Sequence, residues 1–481
     1  MKDVFVQVAL LGSLLRLGPK TRSSRHLGLA GMLCLAGAAA GWGAGDSSRP
    51  SRPNVLLVVM DTTRADHLSC YGYGMPTTPN LDRIASQGVL FERVISAASW
   101  TLPSHATLFT GLYPRDHKTT AENWHLAERF TTLAEVLSAA RYDTAGFSCN
   151  PWLTSATGLT QGFRTFLDMW RDPSPRRQGD DGAELATKAI LDWVDSAATK
   201  RPFFAFVNFM EPHLPYDPPV GFERAFLPQG ADPNQLAQLR QWKHPREVGY
   251  ILRVPGYEVT PEQFRLLRAL YDGEIAYLDS KIDELVRAFQ KRGLLDNTVL
   301  IITADHGEHL GDHELMDHKM SLYDALIHVP LIIRYPKAVP QGVRIHGQVQ
   351  TNDLFATVLR LCGIEQPAPP GTRPLPFDNG VAPRNYAVSE FGPPSEFLRI
   401  LHSRFPNVSY AQFDRSLVSV RGPRYKYIWA SDGRSELFDI IKDPGETREL
   451  SARRPKIAEK LRDLVLAFRE RRSGDPSIMR P

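Results

Sequence analysis

Three predominantly apolar runs that each stop at a cluster of ionisable side chains constrain this chain more than any other feature. Asn54-Val-Leu-Leu-Val-Val-Met60 leads into Asp61-Thr62-Thr63, Phe203–Phe209 into Glu211-Pro212-His213, and Thr298–Thr303 into Asp305-His306-Gly307. Such runs have no polar face, as a strand covered on both sides requires. Leu133–Ala140 reads as a helix and Thr144–Phe147 as a short strand. Tyr271, Ile275, Leu278, Ile282, Leu285 and Phe289 keep a helical stripe that Gly293 closes. Strands alternating with helices predict an α/β domain: a mostly parallel central sheet flanked by helices. Sheets of that kind place ligands at the C-terminal ends of their strands, where the three polar clusters fall.

The ends of the chain differ in character. Ser416–Arg421 and Tyr425–Trp429 read as a hairpin around Gly422-Pro423, and Pro455 to Arg472 as an amphipathic helix. Residues 389–481 are therefore expected to form a small C-terminal α+β domain behind a catalytic domain at 54–388. Residues 221–262, rich in Gln, Pro and Arg, read as a long excursion near the site. At the N-terminus, Lys20, Arg22 and Arg25 precede the apolar stretch Leu27–Ala40, and small residues follow. Residues 1–45 are expected to act as a signal peptide or N-terminal anchor, with a linker at 46–53. The expected location is exported, periplasmic or extracellular, with membrane association through that segment as the alternative.

Charge narrows the partners. The chain carries 57 basic and 53 acidic side chains, a net +4. Lys2, Arg16, Lys20, Arg22 and Arg25 against Asp3 already supply that excess, so no basic surface for nucleic acid is expected. Of four cysteines, Cys34 lies in the leader. Cys70, Cys149 and Cys362 read as small buried hydrophobes, with one disulfide left open.

The chemistry lies in the strand ends. Asp61, Asp305 and His306 offer two carboxylates and an imidazole, a donor set for a divalent cation, although any one carboxylate alone could cap a helix. In Ser99-Trp-Thr-Leu-Pro-Ser-His105, Pro103-Ser104 is expected to open a helix just after Thr101, and helix N-termini favour oxyanions. His213 and the run from Asp305 to Lys319, dense in histidine, add groups for proton transfer and anion contact.

Asn54–Tyr73, Trp100–Pro114, Ile302–Gly311 and Leu322–Ile333 together resemble the sulfatase family of the alkaline-phosphatase superfamily. Met210–Pro215, Thr351–Gly363 and Val420–Leu450 agree with that resemblance. It implies a single-metal site with Asp61, Asp305 and His306 as ligands and Thr62 where a second aspartate usually stands. It also implies that His213 and Lys319 meet the sulfuryl or phosphoryl oxygens or serve the leaving group; His318 or His213 is expected to protonate the leaving oxygen. One departure matters. The family's Cys-x-Pro-x-Arg, whose cysteine becomes formylglycine, is here Thr101-Leu-Pro103-Ser-His105. No formylglycine is expected, and Thr101 becomes both nucleophile and metal ligand. His105 and Asn150 fall near the family's anion-binding positions and are expected to touch substrate. The set is similar to the threonine-nucleophile lipoteichoic-acid synthases and phosphoethanolamine transferases.

The resemblance suggests Ca2+, the histidine ligand favours Mn2+ or Zn2+, and Mg2+ is open as well. The expected activity is hydrolysis of sulfuric or phosphoric esters of an anionic glycan, lipid or small molecule. Phosphoryl transfer to a lipid or glycan acceptor, and inert binding of such a molecule, are the alternatives. A sulfated threonine lacks the elimination route of a formylglycine hemiacetal. A phosphorylated threonine can be hydrolysed in line, which tilts the reading toward phosphate.

Overall fold

The computed structural model describes residues 52–196, 201–242, 245–382 and 384–471. The leader expected over 1–45 lies outside the described residues, as does the linker expected at 46–53 up to residue 51. Strand β1 (Asn54–Met60) forms the middle of the main sheet, and every one of its residues is buried. The other strands are β2 (Val89–Ile95), β3 (Asp143–Ser148), β4 (Thr165–Asp168), β5 (Phe203–Phe209), β6 (Thr298–Thr303), β7 (His309–Leu310), β8 (Met316–Asp317), β9 (His328–Val329), β10 (Leu331–Arg334) and β11 (Val343–Gln350). The sheet runs β11-β2-β10-β6-β1-β5-β3-β4, with β9 beside β2. β7 and β8 pair only with each other.

β1 is parallel to β5 and β6, β3 to β4 and β5, and β11 to β2. β10 is antiparallel to β2 and β6. The mostly parallel sheet expected from the sequence is therefore present. Both faces are covered. Val55, Leu57 and Val59 pack with Phe204, Phe206 and Ile301 on one side. Leu56, Val58 and Met60 pack with Ala205, Val207 and Ile302 on the other. Each buried branched or aromatic side chain contributes about 1.5–3 kcal/mol, so neither face tolerates a polar residue without a partner.

The helix Pro261–Lys291 lies across the second face, with Leu270, Ile275, Leu278, Ile282, Leu285 and Phe289 buried. It starts ahead of the stripe read from the sequence. Pro261 opens its first turn, and Thr260 and Gln263 form a capping box.

The C-terminal sheet is antiparallel, in the order β12 (Ala387–Phe391), β13 (Leu417–Arg421), β14 (Tyr425–Ala430) and β15 (Glu436–Asp439), and the helix Pro455–Glu470 packs on β13 and β14. It begins just ahead of the boundary expected at Ser389. Lys426 on β14, with a fully buried side chain, sits between Asp324 (2.8 Å) and Glu446 (2.7 Å). This joins the small sheet to the polypeptide that follows the site.

Candidate active site

Register builds the site. Met60 lies opposite Phe209 and Val59 opposite Thr303. The residues that follow β1 and β6, Asp61 and Asp305-His306, therefore emerge at one edge of the sheet. Asp61, Asp305 and His306 are all 0% exposed, and ligand atoms from the three lie within 4.8 Å of one another.

Each ligand candidate is held on one side and left open on the other. Asp61 Oδ2 accepts from Asn150 Nδ2 (2.7 Å) and Asn208 Nδ2 (3.0 Å), while its Oδ1 has no partner. Asp305 Oδ1 accepts from the backbone N–H of Thr62 (3.3 Å) and of His306 (3.0 Å), while its Oδ2, approached only by the His306 and His105 rings, accepts no aligned hydrogen bond among the described residues. His306 Nδ1 donates to the Gly307 carbonyl (2.9 Å), which turns Nε2 toward the two carboxylates. That nitrogen lies 3.2 Å from Asp305 Oδ2 and 3.9 Å from Asp61 Oδ1. Thr62 Oγ1 is buried and also without a partner.

The electrostatics follow from this crowding. Burial, then the neighbouring Asp305, push the Asp61 carboxyl up to about 7. Burial works against ionisation of Asp305 too, but His306 outweighs it and holds that carboxyl below the usual range. Burial lowers the His306 imidazole, and Asp305 more than restores it, so the net direction is upward. Buried acceptors gathered round too little positive charge are the setting that a divalent cation corrects. The residues present thus fit such an ion, with Asp61, Asp305 and His306 as its holders.

Thr101 is the first residue of the helix Thr101–Thr110. The helix therefore opens earlier than at the Pro103-Ser104 step. Trp100, extended at φ −154°, takes the cap position without a side-chain hydrogen bond. Thr101 Oγ1 lies 3.3 Å from His306 Nε2 and accepts from Asn150 Nδ2 at 3.5 Å. Its hydroxyl sits at the positive end of the helix, where developing negative charge is stabilised.

His105, expected to touch substrate, lies instead beneath the site at 0% exposure. Its Nδ1 donates to the Thr101 carbonyl (2.9 Å) and lies 3.4 Å from Asp305 Oδ2. Phe109 and Phe206 enclose its ring, and burial lowers its pKa. One turn of helix separates it from Thr101, which points its ring back into the domain.

His318 and Lys319 follow the β7–β8 hairpin. The His318 ring is centred 4.4 Å from that of His306 and 5.0 Å from that of His213. Its Nδ1 lies 2.8 Å from Asp317 and 3.4 Å from Glu308. Burial drives its pKa well below the ordinary value, against the pull of Asp317. Lys319 Nζ is 3.0 Å from both Asp317 oxygens and 3.3 Å from His318 Nε2. His213 Nδ1 donates to the Leu214 carbonyl (2.6 Å).

Four contributors escaped the sequence reading. Asn208 is the one side-chain amide in the β5 run, an anomaly that could have marked it. Glu308 and Asp317, which flank His318, lay in a run that reads equally as a solvated loop. Tyr271, placed in the core stripe, uses its hydroxyl to bridge the turn after β1. It donates to the Thr62 carbonyl (2.7 Å) and accepts from the Arg64 N–H (3.0 Å). That turn holds Thr62 at φ +52°, a conformation a β-branched residue rarely adopts. Cys70, Cys149 and Cys362 form no disulfide.

A family model described as Sulfatase matches residues 53–364. The chain is 27% identical over 459 residues to a Delta 4,5-hexuronate-2-O-sulfatase of Bacteroides thetaiotaomicron, covering 89% of each. It is 26% identical to arylsulfatase K of Bos taurus, covering 86% of this chain and 82% of that one. The fold is that of a phosphonate monoester hydrolase from Agrobacterium radiobacter: TM-score 0.70, 24% identity, 87% of this chain and 95% of that one.

Proposed function

Because the chain belongs to the sulfatase family and is an ester hydrolase of that kind, we propose that it cleaves its ester with Thr101 as nucleophile. The observation that carries the reading is the position of Thr101 Oγ1 at a helix N-terminus, 3.3 Å from a histidine in a buried trio of cation-ligand type. A divalent cation held by Asp61, Asp305 and His306 would lower the pKa of the Thr101 hydroxyl and neutralise the oxyanion it attacks. Thr62 Oγ1 is a fourth donor within the same turn.

Thr101 Oγ1 forms a bond to phosphorus or sulfur as the bond to the ester oxygen breaks. Asn150, donating to Oγ1, supports its anionic form. Lys319 supplies fixed positive charge for the equatorial oxygens, and Asp317 holds it in place. We assign to His213 the passing of a proton to the departing oxygen, while His318, which burial holds neutral, lines the site beside His306. Water then attacks the threonyl ester, releasing the inorganic anion and restoring the hydroxyl. In-line hydrolysis of this kind is open to a phosphothreonine, so phosphoric esters are the favoured class. Sulfuric esters are the other, as the names of the relatives suggest. The segment 1–45 is read as an export signal or anchor, which would place the enzyme outside the cytoplasm.

The test is turnover of matched aryl sulfate, phosphate monoester and phosphate diester by cation-loaded protein. Cleavage of a phosphoric ester that needs Thr101 supports the favoured class. Sulfate release that needs Thr101 moves the substrate to sulfuric esters. Cleavage that survives Thr101→Ala overturns the nucleophile.

A further inference from the structure

The β7–β8 hairpin delivers Asp317, His318 and Lys319 to the reaction centre, yet it has few means of keeping its own shape. Each strand has two residues, and a bond from the Gly311 N–H to the Leu315 carbonyl (3.0 Å) extends the ladder by one step. A two-stranded ribbon of that size is not stable by itself. It is also strained. His313 (φ +54°), Glu314 (φ +59°), Asp317 (φ +67°) and Met320 (φ +68°) all take the left-handed conformation that side chains disfavour. Such strain persists only where neighbouring structure enforces it.

Arg64, in the turn that follows β1, supplies that enforcement. Its side chain is buried. One edge of the guanidinium grips its own turn: Nε and Nη2 donate to the two oxygens of Asp66 (2.9 and 2.8 Å). The other edge crosses to the hairpin, where Nη1 donates to the Glu308 carbonyl (3.1 Å) and to Asp312 Oδ2 (2.7 Å). These two contacts bracket β7, and Asp312 Oδ2 also accepts from the Leu310 N–H (3.0 Å). Gly307 leaves room for the crossing: a Cβ there would crowd Arg64 Cγ at 3.1 Å, besides overlapping the Ala325 carbonyl.

The residue type suits the task. A planar fork of five donors can serve two carboxylates and a carbonyl in fixed directions, which the single ammonium of a lysine cannot. All four bonds go to protein groups, so Arg64 acts through other residues. The turn it belongs to carries Asp61 and Thr62, and Tyr271 anchors that turn separately through the Thr62 carbonyl and the Arg64 N–H. Loosening the guanidinium therefore frees the hairpin and leaves the cation ligands in place.

We propose that Arg64 is a positioning residue: it locks the strained hairpin to the turn after β1 and so sets Lys319 and His318 at the separation from Thr101 that the reaction needs. The proposal rests on the reading of the active site given above. Its test uses Arg64→Lys in the full-length, cation-loaded protein. Asp312→Asn, which keeps the arginine and weakens its hold on the hairpin, is the milder second variant. Three quantities are measured: kcat on 4-nitrophenyl phosphate and 4-nitrophenyl sulfate, Mn2+ affinity of the metal-stripped protein, and hydrogen exchange of peptides across 308–320. A displacement of about 1 Å costs about 100-fold in rate, so kcat of Arg64→Lys is expected to fall by about that factor. Exchange across 308–320 should quicken about tenfold or more, while Mn2+ affinity stays at the parent value. Asp312→Asn should move the first and third quantities in the same direction by less. Unchanged kcat at saturating cation, unchanged exchange, or a loss of activity that added Mn2+ restores would overturn the proposal. None of these readouts requires Thr101 to be the attacking group, and exchange requires no substrate, so the proposal and the active-site reading fail separately.

Discussion

Replacing Tyr271 by phenylalanine removes one oxygen atom and two buried hydrogen bonds. The hydroxyl donates to the Thr62 carbonyl at 2.7 Å and accepts from the Arg64 N–H at 3.0 Å, and the tyrosine is 0% exposed. Water cannot replace it without entering the core. Two backbone groups are left unpaired, at about 1–3 kcal/mol each, so a loss of about 2–6 kcal/mol is expected. The turn it spans carries Thr62 at φ +52° and starts at Asp61. Backbone strain of that kind persists only while its surroundings enforce it. With the bridge gone, the turn relaxes and Asp61 moves relative to Asp305. Loss of an outer partner of this sort lowers metal affinity by about 10–100-fold. Denaturant unfolding and metal titration, made on the same preparation of Tyr271→Phe, read the two effects. Stability and metal affinity both equal to those of the parent protein would refute the claim that Tyr271 fixes the ligand turn.

Other expectations are independent of this one. Asn150→Ala removes the 2.7 Å bond to Asp61 and the contact to Thr101, so kcat should fall about 10–100-fold while the melting temperature changes little; unchanged kcat would contradict it. Gly307→Ala places a methyl group against the Ala325 carbonyl oxygen and the Arg64 side chain. The backbone beside His306 must shift, at about 1–3 kcal/mol or more, and a normal melting temperature would count against this. Burial lowers the His117 imidazole to about 3, from an ordinary 6.5. Its stabilising contribution is complete above pH 6.5 and is lost as the pH falls toward 3, amounting to about 2 kcal/mol at pH 5. Denaturant midpoints at pH 7 and 5 should therefore diverge less in His117→Gln than in the parent, and equal divergence would refute the assignment.

The sequence was most legible where burial is two-sided. The runs Asn54–Met60, Phe203–Phe209 and Thr298–Thr303 coincide with β1, β5 and β6, because a strand covered on both faces cannot admit a polar residue before its end. The same rule made Asp61, Asp305 and His306 conspicuous. Asn208 shows its limit: it lies within such a run, and only the tertiary structure reveals that its amide is matched to Asp61. The excursion at 221–262 read as loop because its helices, Pro233–Arg240 and Pro245–Ile251, are only eight and seven residues long, too short to show an apolar stripe. The β7–β8 hairpin, two residues per strand, lies below what any periodicity can register. His105 is expected at the substrate only because it stands where the family's motif has an arginine; a shorter imidazole there reaches the Thr101 carbonyl and packs between Phe109 and Phe206 instead.

The central claim is that Thr101 carries the group cleaved from substrate. The most direct test is rapid acid quench of cation-loaded protein during turnover, followed by peptide mass spectrometry. The peptide containing Thr101 is expected to gain the mass of one phosphoryl or sulfuryl group, at Thr101 and in step with product release. That adduct should be absent from Thr101→Ala, which should also fail to turn over. Full turnover by Thr101→Ala, or an adduct on any other residue, would contradict the account.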